Sequence, residues 1–136
     1  DAPPLADYPL RPLFACLSAE NAVTVFALLL IEAKVALCSL HPALLAPAAE
    51  GLAGLLLPLG WQGSFVPVLP QGMLDMLEAP VPFLVGVDAA YLHATDRRRR
   101  PAGVTFVDLD NNQVIMGVDE STGRPLLGEG SGGGGG

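Results

Sequence analysis

The chain has 136 residues, 51% of them hydrophobic and 15% charged, with a formal net charge of −7. That length suits one compact domain with a real core and excludes two, and a domain this apolar must bury elements on all sides or cover part of its surface with a partner. Four of the seven basic residues form the run Arg97–Arg100 against 14 acids in all, a balance that excludes nucleic acid as the main partner, because phosphate contacts need Lys and Arg spread over a face.

Residues 1–12 hold four prolines and read as an extended lead-in. Ser18 is placed to cap a helix running from about Ala19 to Glu32. Its later turns are apolar on every side, which predicts a central, buried helix. Lys34–Ser39 is a short apolar run between polar ends, as a buried strand should be. Pro42–Leu57 reads as a second helix with a weak start, since Pro47 suits only a first turn; Pro58 and Gly60 stop it. Phe65–Leu69 is a strand bounded by Pro70, Met73–Glu78 a turn or two of helix, and Phe83–Val87 another apolar strand. A loop holding the arginines follows. Val104–Leu109 and Gln113–Met116 then form a hairpin around Asp110-Asn111-Asn112, because Asn tolerates the left-handed conformation of a tight turn. Residues 128–136, GEGSGGGGG, read as a flexible tail. Strands alternating with helices, several of them apolar throughout, give the fold class: an α/β domain, a largely parallel sheet with helices on both faces.

Neither long apolar stretch reaches the roughly 20 residues a spanning helix needs. AVTVFALLLI, from Ala22, is followed by Glu32 and Lys34, and LAGLLLPL, from Leu52, contains Pro58. Cys16 and Cys38 stand alone, without a CxxC or a Cys/His cluster, and fit two reduced, buried thiols. No signal peptide opens the chain, and a first residue of Asp is expected of a piece of a longer protein. The expected location is cytoplasmic.

Motifs for bond chemistry fail on context. Gly128, Gly130 and Gly133 satisfy GxGxxG with no strand before and no helix after, and no P-loop is present. Asp108-Leu-Asp110-Asn-Asn112 begins like a calcium loop but has Gln113 where that loop needs Gly. His41 and His93 have no ligand or triad partner at the right spacing. No catalytic residue, no metal and no cofactor are expected.

The stretch Trp61–Val87, WQGSFVPVLPQGMLDMLEAPVPFLVGV, carries a resemblance. Trp61, then Phe65-Val-Pro67-Val-Leu69-Pro70, Leu74-Asp75-Met-Leu77 and Ala79-Pro80-Val-Pro82-Phe83-Leu84-Val-Gly86-Val87 resemble, in order, the signature of the central module of DENN domains. Leu28–Lys34 resembles the family's leucine-rich helix end, with Glu32-Ala33-Lys34 where many members have Glu and two basic residues. Val107-Asp108-Leu109-Asp110 resembles its Val-Asp-Leu-Asp strand end. The likeness covers about residues 13–118 and implies a central DENN module over 13–127, between a lead-in at 1–12 and the tail at 128–136.

What the resemblance implies is a regulatory module rather than an enzyme: part of a guanine-nucleotide exchange factor that promotes GDP release from Rab-type small GTPases in membrane trafficking. Its partners would be that GTPase and the flanking DENN modules of the parent chain. Most signature residues read as packing; Trp61, Leu74, Leu77 and Phe83 are apolar enough for a core. The polar residues interleaved with them, Gln62, Asp75, Glu78, Asp88 and Tyr91, are the candidates for GTPase contact. Arg97, Arg98, Arg99 and Arg100 form a solvated loop or, alternatively, a contact with an anionic membrane surface. Rival expectations are a DENN-like scaffold without exchange activity and a membrane-associated apolar protein.

Overall fold

The computed structural model of the chain describes residues 10–96 and 98–127; the lead-in up to Pro9, Arg97 and the glycine-rich tail lie outside them. Four helices and five strands follow in chain order: α1 (Arg11–Cys16), α2 (Ala19–Leu30), β1 (Lys34–Ser39), α3 (Pro42–Leu56), β2 (Ser64–Val66), β3 (Phe83–Asp88), α4 (Ala89–Ala94), β4 (Val104–Asp108) and β5 (Gln113–Ile115). A 3-10 turn, Leu57–Leu59, extends α3, and a 3-10 segment, Gln71–Glu78, joins β2 to β3.

The strands form one sheet in the order β2-β3-β1-β4-β5. All neighbours are parallel except the β4–β5 hairpin. The chain moves one way across the sheet from β1 through α3 to β2, and the other way from β3 through α4 to β4. Parallel crossovers are right-handed, so helices on opposite journeys land on opposite faces. One core gathers α1, α2 and α3 over Val35, Leu37, Leu84 and Val107. The other gathers the 3-10 segment and α4 over Ala36, Cys38, Val85, Val87 and Phe106. The α/β fold expected from the sequence is the fold observed.

α2 begins as the sequence predicts: the Ser18 hydroxyl accepts the Asn21 amide at 3.2 Å. Its end is less ordinary. The Ala33 amide donates to the Leu28 carbonyl and the Glu32 amide to that of Leu29, the paired bonds of a Schellman cap. The residue that must turn left-handed there is Glu32, with φ 64°, where glycine is usual. α2 is not buried all round, contrary to expectation. Ala22, Val25, Leu28 and Leu29 face the core, while Val23, Leu30 and Ile31 are exposed. It lies on the outside of the layer, so the sheet takes one stripe and leaves an apolar ridge.

α3 starts at Pro42, as the sequence reading has it, whereas α1 was not expected. The first two residues of α1, Arg11 and Pro12, fall within the stretch expected to be an extended lead-in; Pro12 sits in a first turn and costs that helix nothing. Pro47 lies inside α3, beyond its first turn. The carbonyl that loses a donor there belongs to Ala43, which is exposed and can be solvated. Because the 3-10 turn continues α3 to Leu59, Pro42–Leu59 reaches 18 residues at a mean hydropathy of 1.5, long and apolar enough to cross a membrane by length and composition. The shorter stretches weighed in the sequence missed this. The helix is nonetheless packed on the sheet, with Leu45, Ala48, Ala49, Leu52 and Leu56 at 0–1% exposure.

β2 is shorter than expected because the chain leaves the ladder at Pro67. The Leu69 amide still reaches the Gly86 carbonyl at 2.7 Å. A side chain at Gly86 would place its Cβ 2.1 Å from the Pro67 carbonyl oxygen, so only glycine lets these segments meet.

Candidate functional site

In open α/β sheets ligands and partners meet the molecule beyond the carboxyl ends of the strands, where successive connections leave for opposite faces. Here that place lies between β1 and β3, whose last residues Ser39 and Asp88 are in register. On the face of the second core, β3 ends at Asp88, whose carboxylate accepts the Ala90 amide at 2.9 Å and caps α4. Between α4 and the 3-10 segment runs a groove of about 340 Å³, its lining including Leu69, Leu74, Val87, Ala90, Tyr91 and Ala94. Gln71, Asp88 and Thr95 supply its polar atoms. The groove exists because α4 places alanines at 90 and 94, one turn apart, where larger side chains would have filled the gap.

Tyr91 forms one wall. Its ring lies 6.0 Å from that of Phe106, tilted 30°, and the Arg100 guanidinium sits 5.6 Å above the Phe106 ring, within cation–π range. Burial pushes the Tyr91 hydroxyl above its ordinary pKa; Arg100 opposes that and Glu78 adds to it. At neutral pH it is an uncharged hydrogen-bonding group. Asp75 and Glu78 are exposed on the 3-10 segment, and Asp88 lines the groove.

Asp75, Glu78, Asp88 and Tyr91 are thus brought to one face by the structure. Gln62 is not. It precedes β2, whose first residue pairs with the first residue of β3, while Asp88 is the last residue of the six-residue β3. At about 3.3 Å per residue the two ends are about 17 Å apart. Of the arginines, Arg98 and Arg99 are exposed in a turn closed by the Arg99 amide on the Asp96 carbonyl. Arg100 is held on Phe106, and Arg97 lies outside the described residues. Trp61 packs on the three-helix core. Leu77 and Phe83 belong to the other core, and Leu74, taken for core in the sequence, is only half-buried against it.

Sequence reasoning missed α4, and with it Ala90, Ala94 and Thr95. The signal was present: Asp88 is a good cap and AAYLHA holds three alanines and a leucine, strong helix formers. Six residues, however, barely exceed one turn and offer no periodicity to read.

A second cluster lies at the ends of β1 and β4. Asp110 accepts the Ser39 hydroxyl and the Leu40 amide, each at 2.7 Å. Partial burial would raise its pKa, but these two hydrogen bonds and the nearby His41 and His93 bring it below the usual carboxylate value. Asn112, at φ 52°, accepts the Ser18 amide at 2.8 Å and the Asn21 side-chain amide at 3.0 Å. The hairpin turn therefore ties down the start of α2 and the end of β1. Asp108 accepts the Asp110 amide and the Asn111 side-chain amide, and Asp119 accepts the Ser121 amide and hydroxyl in a turn of its own. The calcium-like spacing is spent on turns. Among the described residues no three His, Cys, Asp or Glu are grouped to hold a metal ion. Burial, with Asp108 adding, pushes the Cys38 thiol up to about 12, which leaves it inert.

The sequence model of the DENN (AEX-3) domain matches residues 1–112. The chain belongs to the DENN domain family. Relatives include a protein named elicitor of plant defense protein 1 from Fusarium odoratissimum, 38% identical over 118 residues, which span 86% of this chain and 12% of the relative. A protein of the same name from Gibberella zeae is 36% identical over 115 residues, 84% of this chain and 9% of the relative. This DENN chain therefore spans about a tenth of the length of the curated relatives it matches.

Proposed function

We propose that this DENN chain is a central module, residues 13–127, of a guanine-nucleotide exchange factor for Rab-type small GTPases, and that the face carrying Asp75, Glu78, Asp88 and Tyr91 meets the GTPase. Membership of the DENN family supports the activity. The lining of one groove by Asp88 and Tyr91, with Asp75 and Glu78 exposed on the 3-10 segment that flanks it, supports the surface.

An exchange factor acts by binding the nucleotide-free GTPase more tightly than the nucleotide-bound form. Coupling is reciprocal, so nucleotide weakens the factor's grip by the same ratio. Shape and a few polar contacts do this work; no bond is made or broken. A standard interface buries about 800 Å² per partner, more than a groove and two short elements present. On this reading the module works beside flanking segments of a longer, cytoplasmic protein recruited to trafficking membranes, with Arg98 and Arg99 free for acidic lipid.

The decisive measurement is release of a fluorescent guanine nucleotide from a panel of Rab-type GTPases by the parent protein and by its Asp75→Lys, Glu78→Lys form. Acceleration by the parent and its loss on charge reversal, at unchanged thermal stability, are expected. Acceleration on none of the panel favours a DENN scaffold without exchange activity. Acceleration that survives the reversal keeps the activity and removes these two acids from it.

A further inference from the structure

We propose that the groove between α4 and the 3-10 segment receives one large apolar side chain, presented by a basic segment of the protein partner. The proposal deepens the preceding reading, on which it rests, by naming the chemistry the partner must offer.

The groove's floor and walls are apolar, from Leu69, Leu74, Val87, Ala90 and Ala94, with the Tyr91 ring along one side. Its volume of about 340 Å³ stands at the low end for ligand pockets, roughly 300–1,000 Å³. That is ample room for one large side chain. The small residues of α4 are exposed at the mouth, so the site is open without any movement of the backbone.

Charge fixes the surroundings of the guest. Asp88 is part of the lining, Glu78 is close enough to raise the Tyr91 hydroxyl, and Asp75 is exposed on the 3-10 segment that forms one wall. Among the described residues, Arg100 acts on the Tyr91 hydroxyl and lies over the Phe106 ring, while Arg98 and Arg99 are exposed in the turn that follows Thr95. A guest flanked by acids would be repelled; one flanked by Lys or Arg would be steered in and held, more weakly as salt rises. Apolar burial with charge complementarity around it is how a small anchor site becomes selective.

The test uses the 136-residue chain, isotope-labelled for NMR, and four synthetic peptides: a central Phe or Ala flanked on both sides by Lys or Glu. The Lys-flanked Phe peptide should shift the amides of Leu74, Val87, Ala90 and Tyr91, less so in high salt. The Lys-flanked Ala peptide should bind about tenfold more weakly, the loss typical of removing an anchor. Glu-flanked peptides should leave those amides unmoved. Ala94→Trp fills the groove from an exposed position, and its amide spectrum shows whether the fold is kept; folded, it should lose the Phe-dependent binding. Equal binding of the Phe and Ala peptides, or full binding to folded Ala94→Trp, overturns the proposal. A parent that accelerates no GTPase while the Lys-flanked Phe peptide still seats in the groove removes the exchange reading and leaves the groove assignment intact.

Discussion

On one face of the sheet three helices of 6, 12 and 15 residues lie over the strands; on the other the cover is a 3-10 segment of 8 residues and a helix of 6. The long helices bury continuous stripes, and the hairpin turn at Asp110–Asn112 pins the layer at the start of α2. The short elements cannot interdigitate over the same length. They leave a groove, exposed acids and a half-buried tyrosine. The contrast teaches that the two sides expose different things: the long helices bury a continuous stripe and leave the apolar ridge of α2 outside, and where the cover is short the polar and apolar atoms of a groove remain accessible.

The largest expected effect comes from cutting the same side chain on each face. Leu52→Ala, at 0% exposure under α3, should cost about 3–5 kcal/mol, the range for a cavity that cannot collapse. Leu92→Ala, at 7% exposure in α4, should cost about 2 kcal/mol, because the short helix can settle into the space. Urea denaturation of both variants decides it. Equal losses would break the division between the faces.

A smaller effect tests the pin. Asn112→Ala removes the acceptor for Ser18 and Asn21 and puts alanine at positive φ, for an expected loss of about 1–2 kcal/mol. Asn112→Gly should recover the backbone part and not the hydrogen-bonded part, by the same denaturation measurement. Asp110, in the same turn, makes the pin sensitive to acid. Its folded pKa lies below the ordinary value of 3.8, so its contribution is present above that value and fades as pH falls through the folded pKa. Asp110→Asn should flatten the acid limb of the stability–pH curve below about pH 4 and leave the slope near neutrality unchanged.

The smallest effect has the opposite sign. Glu32 holds a left-handed turn that glycine adopts without strain, so Glu32→Gly should stabilise the chain by up to about 1 kcal/mol despite the extra freedom it gives the unfolded state. Thermal melting detects a rise of a few degrees. No gain would mean that the Glu32 side chain contributes to the layer.

Much of the fold was legible because local physics agreed with it. Ser18 caps where its hydroxyl predicts, Lys34–Ser39 is buried as its apolar run predicts, and Asn112 turns left-handed where a hairpin needs it. The site was legible only in pieces. Asp75, Glu78, Asp88 and Tyr91 could be chosen as polar residues among packed ones, but nothing in their spacing said that they share a face or that Gln62 does not. α4 was invisible because a helix of little more than one turn has no period.

By itself the sequence determined the α/β class, the strand positions, the turn chemistry and the family, since each depends on residues near one another in the chain. Tertiary structure decided the rest. The direction of each crossover assigned α3 and α4 to opposite faces, the outer position of α2 turned an all-apolar helix into an exposed ridge, and the pairing of β3 with both β1 and β2 set Asp88 beside the groove and Gln62 far from it. Those outcomes depend on which strands become neighbours, and no window of sequence contains that pairing.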